Sequence, residues 1–293
     1  MKISIIQNCL NGEKYLKKSL SSIENQTYKN FELIFFDNCS TDRSKEIFEK
    51  FNNPRFKYYK SEKKLKLYDA RNLAISKSQG DYITFLDVDD WWSPNKLEKQ
   101  INLFKYNSTI DLIYTNYYIF NKFLKLKKKF SSKILPSGII FDSLIKKYNI
   151  GILTVMIKSK IFFYDNIWFD PNFTILGDFD FFLRFSKNKN IKYLNECLAY
   201  YRNHNLNYSV INFKEEQDEF NYFIEKKEIK NILNPDQIKT LKFNFQKNKN
   251  KSLYLVKLNN ELNFLKSKNF SFKNIILILI IYIKKILFRF GFY

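Results

Sequence analysis

Two hydrophobic rhythms alternate along the chain. Residues 3–9, 31–36 and 82–86 are short, mainly apolar runs ending near Asn, Asp or Gly, as buried strands do, and 55–59 is a further short strand rich in aromatics. Between the first two, Tyr15, Leu16, Leu20 and Ile23 recur at helical spacing and predict a helix over residues 13–25 with one buried stripe. Residues 41–51, 68–78 and 94–106 predict further helices, and 111–120 a strand. The Lys-rich stretch 121–133 predicts a hairpin or mobile loop, and Pro136-Ser137-Gly138 a turn before a short helix ending at Lys147. Residues 151–157 read as a strand, 178–187 as a helix and 193–201 as the last sheet element. Alternating strands and helices imply an α/β fold: a Rossmann-like, mostly parallel sheet with helices on both faces.

The pattern changes near residue 213. Residues 215–230 and 235–265 are Lys- and Glu-rich, with helical periodicity and no strand signal. The expected organisation is therefore an α/β domain over residues 1–212 and a helical carboxyl-terminal region over 213–293. That region ends in nine consecutive apolar residues, 275–283, flanked by Lys273, Lys284, Lys285 and Arg289. A bilayer span needs about 20 apolar residues, so this run is too short. Its cationic flanks and aromatic end suit a helix lying on an acidic membrane surface; the alternative is a helix packed on the protein.

Fifty Lys and Arg against 29 Asp and Glu give a net charge of +21, which suits an anionic partner. Nucleic acid is disfavoured, because its binders gather basic residues and stacking aromatics on one face, whereas the basic excess here is dispersed. Cys9, Cys39 and Cys197 are odd in number and lack paired metal-ligand spacing, which fits a reducing compartment. Met1-Lys2 runs directly into a short apolar strand, with no signal-peptide core. A cytoplasmic protein, peripheral on the inner face of the plasma membrane, is expected.

The candidate chemistry centres on Gly80-Asp81-Tyr82-Ile83-Thr84-Phe85-Leu86-Asp87-Val88-Asp89-Asp90-Trp91-Trp92. A buried strand here would place three carboxylates at the rim of an open α/β sheet, where such folds bind ligands. Three close carboxylates repel one another, and a hard divalent cation would neutralise them. The alternative is a solvated Asp-rich turn before the helix that Ser93-Pro94 opens.

These blocks, taken in order, resemble a family 2 glycosyltransferase with the GT-A fold. Ile3-Ser4-Ile5-Ile6, Asn11-Gly12-Glu13-Lys14-Tyr15-Leu16 and Ser22-Ile23-Glu24-Asn25-Gln26-Thr27-Tyr28 are similar to its opening. Phe35-Phe36-Asp37-Asn38-Cys39-Ser40-Thr41-Asp42 is similar to its next block, and Tyr68-Asp69-Ala70-Arg71-Asn72 and Asp87-Val88-Asp89-Asp90-Trp91-Trp92-Ser93-Pro94 follow in order. The match is dense to about residue 105 and thins between 150 and 210.

The resemblance implies an inverting transfer of a sugar from a nucleotide diphosphate sugar to a hydroxyl of a glycan acceptor; the basic appendage and apolar end add the expectation that this glycan is lipid-linked, a surface polysaccharide or lipooligosaccharide. Residues 1–105 would hold the donor and 106–212 face the acceptor. Mg²⁺ or Mn²⁺ would sit on Asp89, with Asp87 and His204 beside it and Asp90 in support; His204 belongs to a Tyr201-Arg202-Asn203-His204 block that approaches the diphosphate in relatives. Asn8, Asp37, Asn38, Asp69, Arg71 and Asp87 would hold the nucleotide-sugar. Asp178, in Leu176-Gly177-Asp178-Phe179-Asp180, would be the general base; otherwise it is an acid favouring the dipole at a helix start. Gly177 stands where the family commonly has Glu. Asn38 replaces a family Asp, and Gln7, Asn8, Leu10 and Cys39 also depart, so the base is open. Trp91 and Trp92 would stack on an acceptor sugar or anchor a helix, and Asp180 is acceptor-side or structural. Two rivals are a nucleotidyltransferase, which would need a Gly-rich phosphate loop after the first strand, and an inactive membrane adapter.

Overall fold

The structure, a computed structural model, describes residues 1–121, 126–204, 212–248 and 280–281. In chain order it contains β1 (Ile3–Cys9), α1 (Glu13–Glu24), β2 (Phe31–Asp37), α2 (Ser44–Glu49), β3 (Phe56–Lys60), α3 (Leu67–Ser76), β4 (Tyr82–Phe85) and β5 (Trp91–Trp92). Then follow α4 (Lys96–Tyr106), β6 (Leu112–Asn121), β7 (Leu126–Lys129), α5 (Phe141–Lys146), a 3-10 turn (Ile152–Thr154), β8 (Met156–Lys158), α6 (Lys160–Phe163), α7 (Gly177–Ser186), β9 (Ile191–Asn203), α8 (Phe213–Glu225) and α9 (Lys227–Ile232).

The strands join one sheet in the order β3-β2-β1-β4-β8-β6-β9-β5, with β7 on β6. β3, β2, β1 and β4 are mutually parallel, β8 runs against both β4 and β6, and β9 is parallel to β6. Every residue of β1 and β2 is buried, which explains their largely apolar make-up: a strand covered on both faces has no solvent side, so polar members such as Ser4 and Glu32 meet each other inside the protein. Ile3, Ile5, Cys9, Leu33 and Phe35 pack with Leu16, Leu20 and Ile23 of α1 and Leu97, Ile101 and Phe104 of α4. α3 lies against β1 and β2 and, by the two-residue period of a strand, covers the other face. The expected α/β sheet with helices on both faces is present, mixed in its second half.

Two local expectations are corrected. Residues 151–157 do not form one strand, because Thr154 folds back on Gly151 through its amide (2.9 Å) and hydroxyl (2.6 Å), and only Met156–Lys158 pairs. Trp91–Trp92, not read as a strand, pairs antiparallel with Ala199 and Tyr200 of β9.

The compact unit that carries the sheet runs Met1–Asn234 and includes α8 and α9. α8 stays with it through Phe223, which is buried with its ring tilted against Phe179 (ring centroids 5.3 Å apart), and through Tyr222 against Phe173. A second unit covers Pro235–Tyr293; residues 235–248 of it are helical. The apolar terminal run and most of the helix expected over 235–265 lie outside the described residues, as does the end of the Tyr201–Ser209 block beyond His204. Among the described residues no helix is long and apolar enough to cross a membrane.

Candidate active site

The carboxyl ends of β1 and β4 open onto a cleft of about 580 Å³ lined by, among others, Asn8, Asp87, Asp89, Tyr148, Asp178 and His204. It lies at the strand ends, where the parallel half meets antiparallel β8, as ligand clefts of open α/β sheets do. The floor is locked from within. Gln7 donates to Ser19 Oγ (2.8 Å) and to the Leu86 carbonyl (3.2 Å), so β1, α1 and the end of β4 share one buried link.

The acidic turn follows directly. Leu86 closes β4 with a bond from its amide to the Ile6 carbonyl (3.0 Å), and the Asp90 amide returns to the Asp87 carbonyl (3.1 Å). That turn exposes Asp87 and Asp89 to the cleft and buries Asp90. Each carboxylate has a partner from a distant element. Asp87 Oδ1 accepts from Arg71 Nη2 of α3 at 2.9 Å. Asp89 Oδ2 lies 3.0 Å from His204 Nε2, just past β9. Asp90 Oδ1 accepts the Arg202 amide at 2.8 Å, while Arg202 Nε donates to the Asp89 carbonyl at 2.7 Å. Burial raises the Asp87 pKa; Arg71 opposes the rise and Asp89 adds to it. Burial, then Asp89 and Asp87, push Asp90 well above the carboxylate range. Asp90 is a strut tying the turn to β9.

Asp178 enters from the opposite side, in the first turn of α7. Its Oδ1 accepts the Phe179 amide at 2.7 Å, and it has no ion pair among the described residues. Burial raises its pKa, against the lowering effects of the Phe179 amide, the Tyr148 hydroxyl and Arg71. The Tyr148 hydroxyl faces Asp178 but falls short of a well-formed hydrogen bond and is otherwise unpartnered. The glycine before Asp178 has a steric cause. A Cβ on Gly177 would sit 2.3 Å from Cδ2 of Tyr68, whose ring stacks on Phe169 and carries the Arg71 guanidinium 5.0 Å from its centroid. Tyr68 fills the space a glutamate at 177 would need.

Of the residues singled out from sequence, Asn8, Arg71, Asp87, Asp89, Asp178 and His204 meet at the cleft. Arg71 is buried and directed at Asp87 rather than outward. The others are engaged elsewhere. Asp37 accepts from the Tyr58 hydroxyl (2.6 Å) and the Ser40 amide (2.7 Å). Asn38 pairs its whole amide with the backbone of Leu65, 2.9 Å each way. Asp69 sits in the first turn of α3, outside the cleft lining. Trp92 is buried and donates to the Leu153 carbonyl at 2.8 Å, which makes it an anchor. Trp91 is covered by Tyr200, Lys18 and Arg202, its ring centroid 3.4 Å from the Lys18 amine, so a sugar has no open face on which to stack. Asp180 is fully buried between Arg184 (2.7 Å) and Lys226 (2.8 Å) and is a packing residue, not an acceptor contact.

Tyr148 and Asn149 carry no motif that marks them as site residues. They fall between two elements, and their position before Gly151 was the one available signal. Both line the cleft, and the Tyr148 hydroxyl, Asn149 Oδ1 and both polar atoms of the Asn8 amide are buried without partners. Such orphaned groups cost roughly 1–3 kcal/mol each unless a ligand meets them.

A divalent ion fits these residues in one way. Among the described residues no group of three or more His, Cys, Asp or Glu could enclose a metal. Mg²⁺ is usually held by one or two carboxylates plus substrate phosphates and water, not by an all-protein cage, and Asp87 and Asp89 provide such an open pair. A phosphate loop, by contrast, is not available at α1. Its Gly12 amide already donates to Ser44 Oγ (2.9 Å) and its Glu13 amide to Asp42 Oδ2 (2.9 Å), which disfavours the nucleotidyltransferase reading.

Comparison with known proteins matches residues 4–203 to the model for glycosyl transferase family 2. Over 193 residues, 66% of this chain and 73% of the relative, the sequence is 34% identical to the Escherichia coli UDP-Glc:alpha-D-GlcNAc-diphosphoundecaprenol beta-1,3-glucosyltransferase WfgD. Among solved structures, S. aureus TarS 1–349 in complex with UDP-GlcNAc superposes with a TM-score of 0.64 at 18% identity, over 82% of this chain and 70% of that one. The Pyrobaculum calidifontis mannosyltransferase PcManGT, in complex with GDP-Man and Mn²⁺, gives 0.57 at 12% identity, over 82% and 67%. Both likenesses concern the fold.

Proposed function

The chain belongs to glycosyl transferase family 2, and from that premise we propose an inverting, metal-dependent transfer of a hexosyl or related sugar from a nucleotide diphosphate sugar to a hydroxyl of a lipid-linked glycan. The observation that carries this reading is the asymmetry of the cleft. Asp87 and Asp89 are tethered to Arg71 and His204 on one side, while Asp178 faces them with no ion pair among the described residues.

Asp178 takes the proton of the acceptor hydroxyl as that oxygen attacks the anomeric carbon from the face opposite the departing diphosphate. Its raised pKa brings it closer to the working pH, which strengthens it as a base. Asp87 and Asp89 would hold Mg²⁺ or Mn²⁺, which when bound supplies Lewis-acid stabilisation of charge on the leaving diphosphate. Arg71 keeps Asp87 oriented, and His204 does the same for Asp89. The unpartnered atoms of Asn8, Tyr148 and Asn149 suit a ligand rich in hydroxyls. WfgD acts, by its name, on a lipid diphosphate acceptor, and the basic, apolar stretch 270–293 would hold this chain at an acidic membrane surface beside such a molecule.

The test is a thermal-shift screen of UDP-, GDP-, dTDP- and CMP-sugars with and without Mn²⁺, on the full chain and on Asp89→Ala. Metal-dependent stabilisation by one nucleotide class, lost in the variant, is expected. Stabilisation that ignores metal and survives Asp89→Ala would overturn the assignment of the acidic turn.

A further inference from the structure

α8 holds the loop that presents Asp178. Glu219, at mid-helix and buried, accepts three consecutive backbone amides: Thr174 (2.5 Å) and Ile175 (2.9 Å) and Leu176 (2.8 Å). Leu176 caps α7, and Asp178 is the second residue of that helix. Thr174 and Ile175 themselves line the cleft. Three amides in a row pointing at one spot form a concave anion site, and here the protein fills it with its own carboxylate. A second tether lies just beyond the helix: Lys226 Nζ bridges Asp170 and Asp180 at 2.8 Å each, before and after the same loop. The loop from 170 to 180 is thus gripped at both ends and in the middle by residues that lie past the family match, which stops at residue 203.

We infer that Glu219 is a positioning residue for the transfer: it fixes the 174–176 backbone and thereby the place of the Asp178 carboxylate relative to the acceptor hydroxyl. This rests on the reading of Asp178 as the base. The physical logic is that proton transfer needs hydrogen-bond reach. A shift of about 1 Å in a catalytic group can cost on the order of 100-fold in rate. Without Glu219 the three amides lose their common acceptor and are left to water or to one another, so the loop relaxes. Donor binding on the opposite wall, at Asp87 and Asp89, is untouched.

The experiment compares Glu219→Ala, Glu219→Gln, Lys226→Met and Asp178→Ala in the full chain, with kcat, KM for each substrate, the pH profile of kcat/KM, and amide hydrogen exchange. Glu219→Ala is expected to lower kcat by roughly 10–100-fold, with donor KM within about twofold. Its acid limb should shift as the surroundings of Asp178 change, and the 174–176 amides should lose protection while β1 and β2 keep theirs. Glu219→Gln keeps one acceptor oxygen, enough for the Ile175 and Leu176 amides but not for Thr174, and should recover part of the rate. If Glu219→Ala is too unstable to assay, the partial loss in Glu219→Gln and the loosening of the same loop in Lys226→Met carry the kinetic test. Exchange at 174–176 accelerated while kcat, KM and the pH profile stay at wild type would overturn the inference and leave Glu219 a purely structural anchor. Full turnover by Asp178→Ala would instead overturn the assignment of the base, whatever Glu219 does.

Discussion

The contact between Gly177 and Tyr68 can be tested with one methyl group. In Gly177→Ala the new Cβ would lie 2.3 Å from Cδ2, 2.5 Å from Cε2 and 2.6 Å from Cγ of the Tyr68 ring, where ordinary contact begins near 3.4 Å. The ring must therefore retreat by about 1 Å. It has nowhere to go: Tyr68 is 3% exposed, stacked on Phe169 and loaded by the Arg71 guanidinium. Two terms compete. Alanine in a helix is favoured over glycine by at most about 1 kcal/mol, and overpacking a rigid site costs about 1–3 kcal/mol. With contacts this short the overpacking cost lies toward its upper end, about 2–3 kcal/mol, so it wins by about 1–2 kcal/mol after the gain of at most about 1 kcal/mol, which for a unit of this size lowers Tm by roughly 2–8 °C. Because Arg71 sits on the same ring, the displacement also disturbs Asp87, and kcat falls with Tm. The assay is thermal unfolding plus steady-state transfer for Gly177→Ala, Tyr68→Leu and the double variant. In the Tyr68→Leu background the added methyl should cost far less, giving a coupling of about 1–2 kcal/mol. An equal loss of Tm in both backgrounds, or none in either, would refute the steric account of the missing glutamate.

Two further expectations concern pH. Because burial raises the Asp178 pKa, the acid limb of kcat/KM should lie above the ordinary aspartate value near 4; Tyr148→Phe removes a hydroxyl that favours the ionised form and should move the limb higher, and an unmoved limb would discount that contact. Glu32 titrates the other way. Burial raises its pKa, but hydrogen bonds from Lys2, Lys57, Ser4 and the Gln79 amide outweigh it and hold the group down to about 2, against an ordinary 4.5. Its stabilisation is therefore complete above pH 4.5 and lost as pH falls to about 2. With both lysines about one-third exposed, roughly 1–2 kcal/mol is expected at neutral pH. Glu32→Gln should lose that at pH 7 and converge with wild type near pH 2; a pH-independent deficit would assign its effect to packing.

What could be read beforehand follows from what a linear pattern encodes. Mainly apolar runs at 3–9 and 31–36 located β1 and β2 because a strand buried on both faces leaves little room for polar residues. Periodicity does not carry strand direction, so the antiparallel insertion of β8 between β4 and β6 was invisible. Glu32 looks out of place in Phe31-Glu32-Leu33-Ile34-Phe35-Phe36, and nothing local reveals that Lys2 and Lys57 neutralise it from the neighbouring strands. Trp91 and Trp92 were ambiguous for a similar reason: whether an aromatic face is open to a sugar depends on Lys18, Tyr200 and Arg202, none of them its neighbour in sequence.

The acidic turn shows why the site itself was half legible. The types and spacing of Asp87, Asp89 and Asp90 announce a carboxylate cluster, yet their roles are set by partners far along the chain: Arg202 is separated from Asp90 by 112 positions and His204 from Asp89 by 115. Both partners come from the end of β9, whose register slips twice beside Thr115 to Tyr117. An extra residue in one strand bends it and increases its twist, and this bend falls just upstream of the last turn of the strand, the part that reaches the acidic rim. The bulges in β9 and the carboxylates after β4 are thus parts of one device. A straight β9 in full register would carry Arg202 and His204 elsewhere, and Asp90 would be left buried without its amide donor. Burial of an unpartnered acid costs several kcal/mol, so the sheet's irregularity and the cluster's charge are tied together in the folded state.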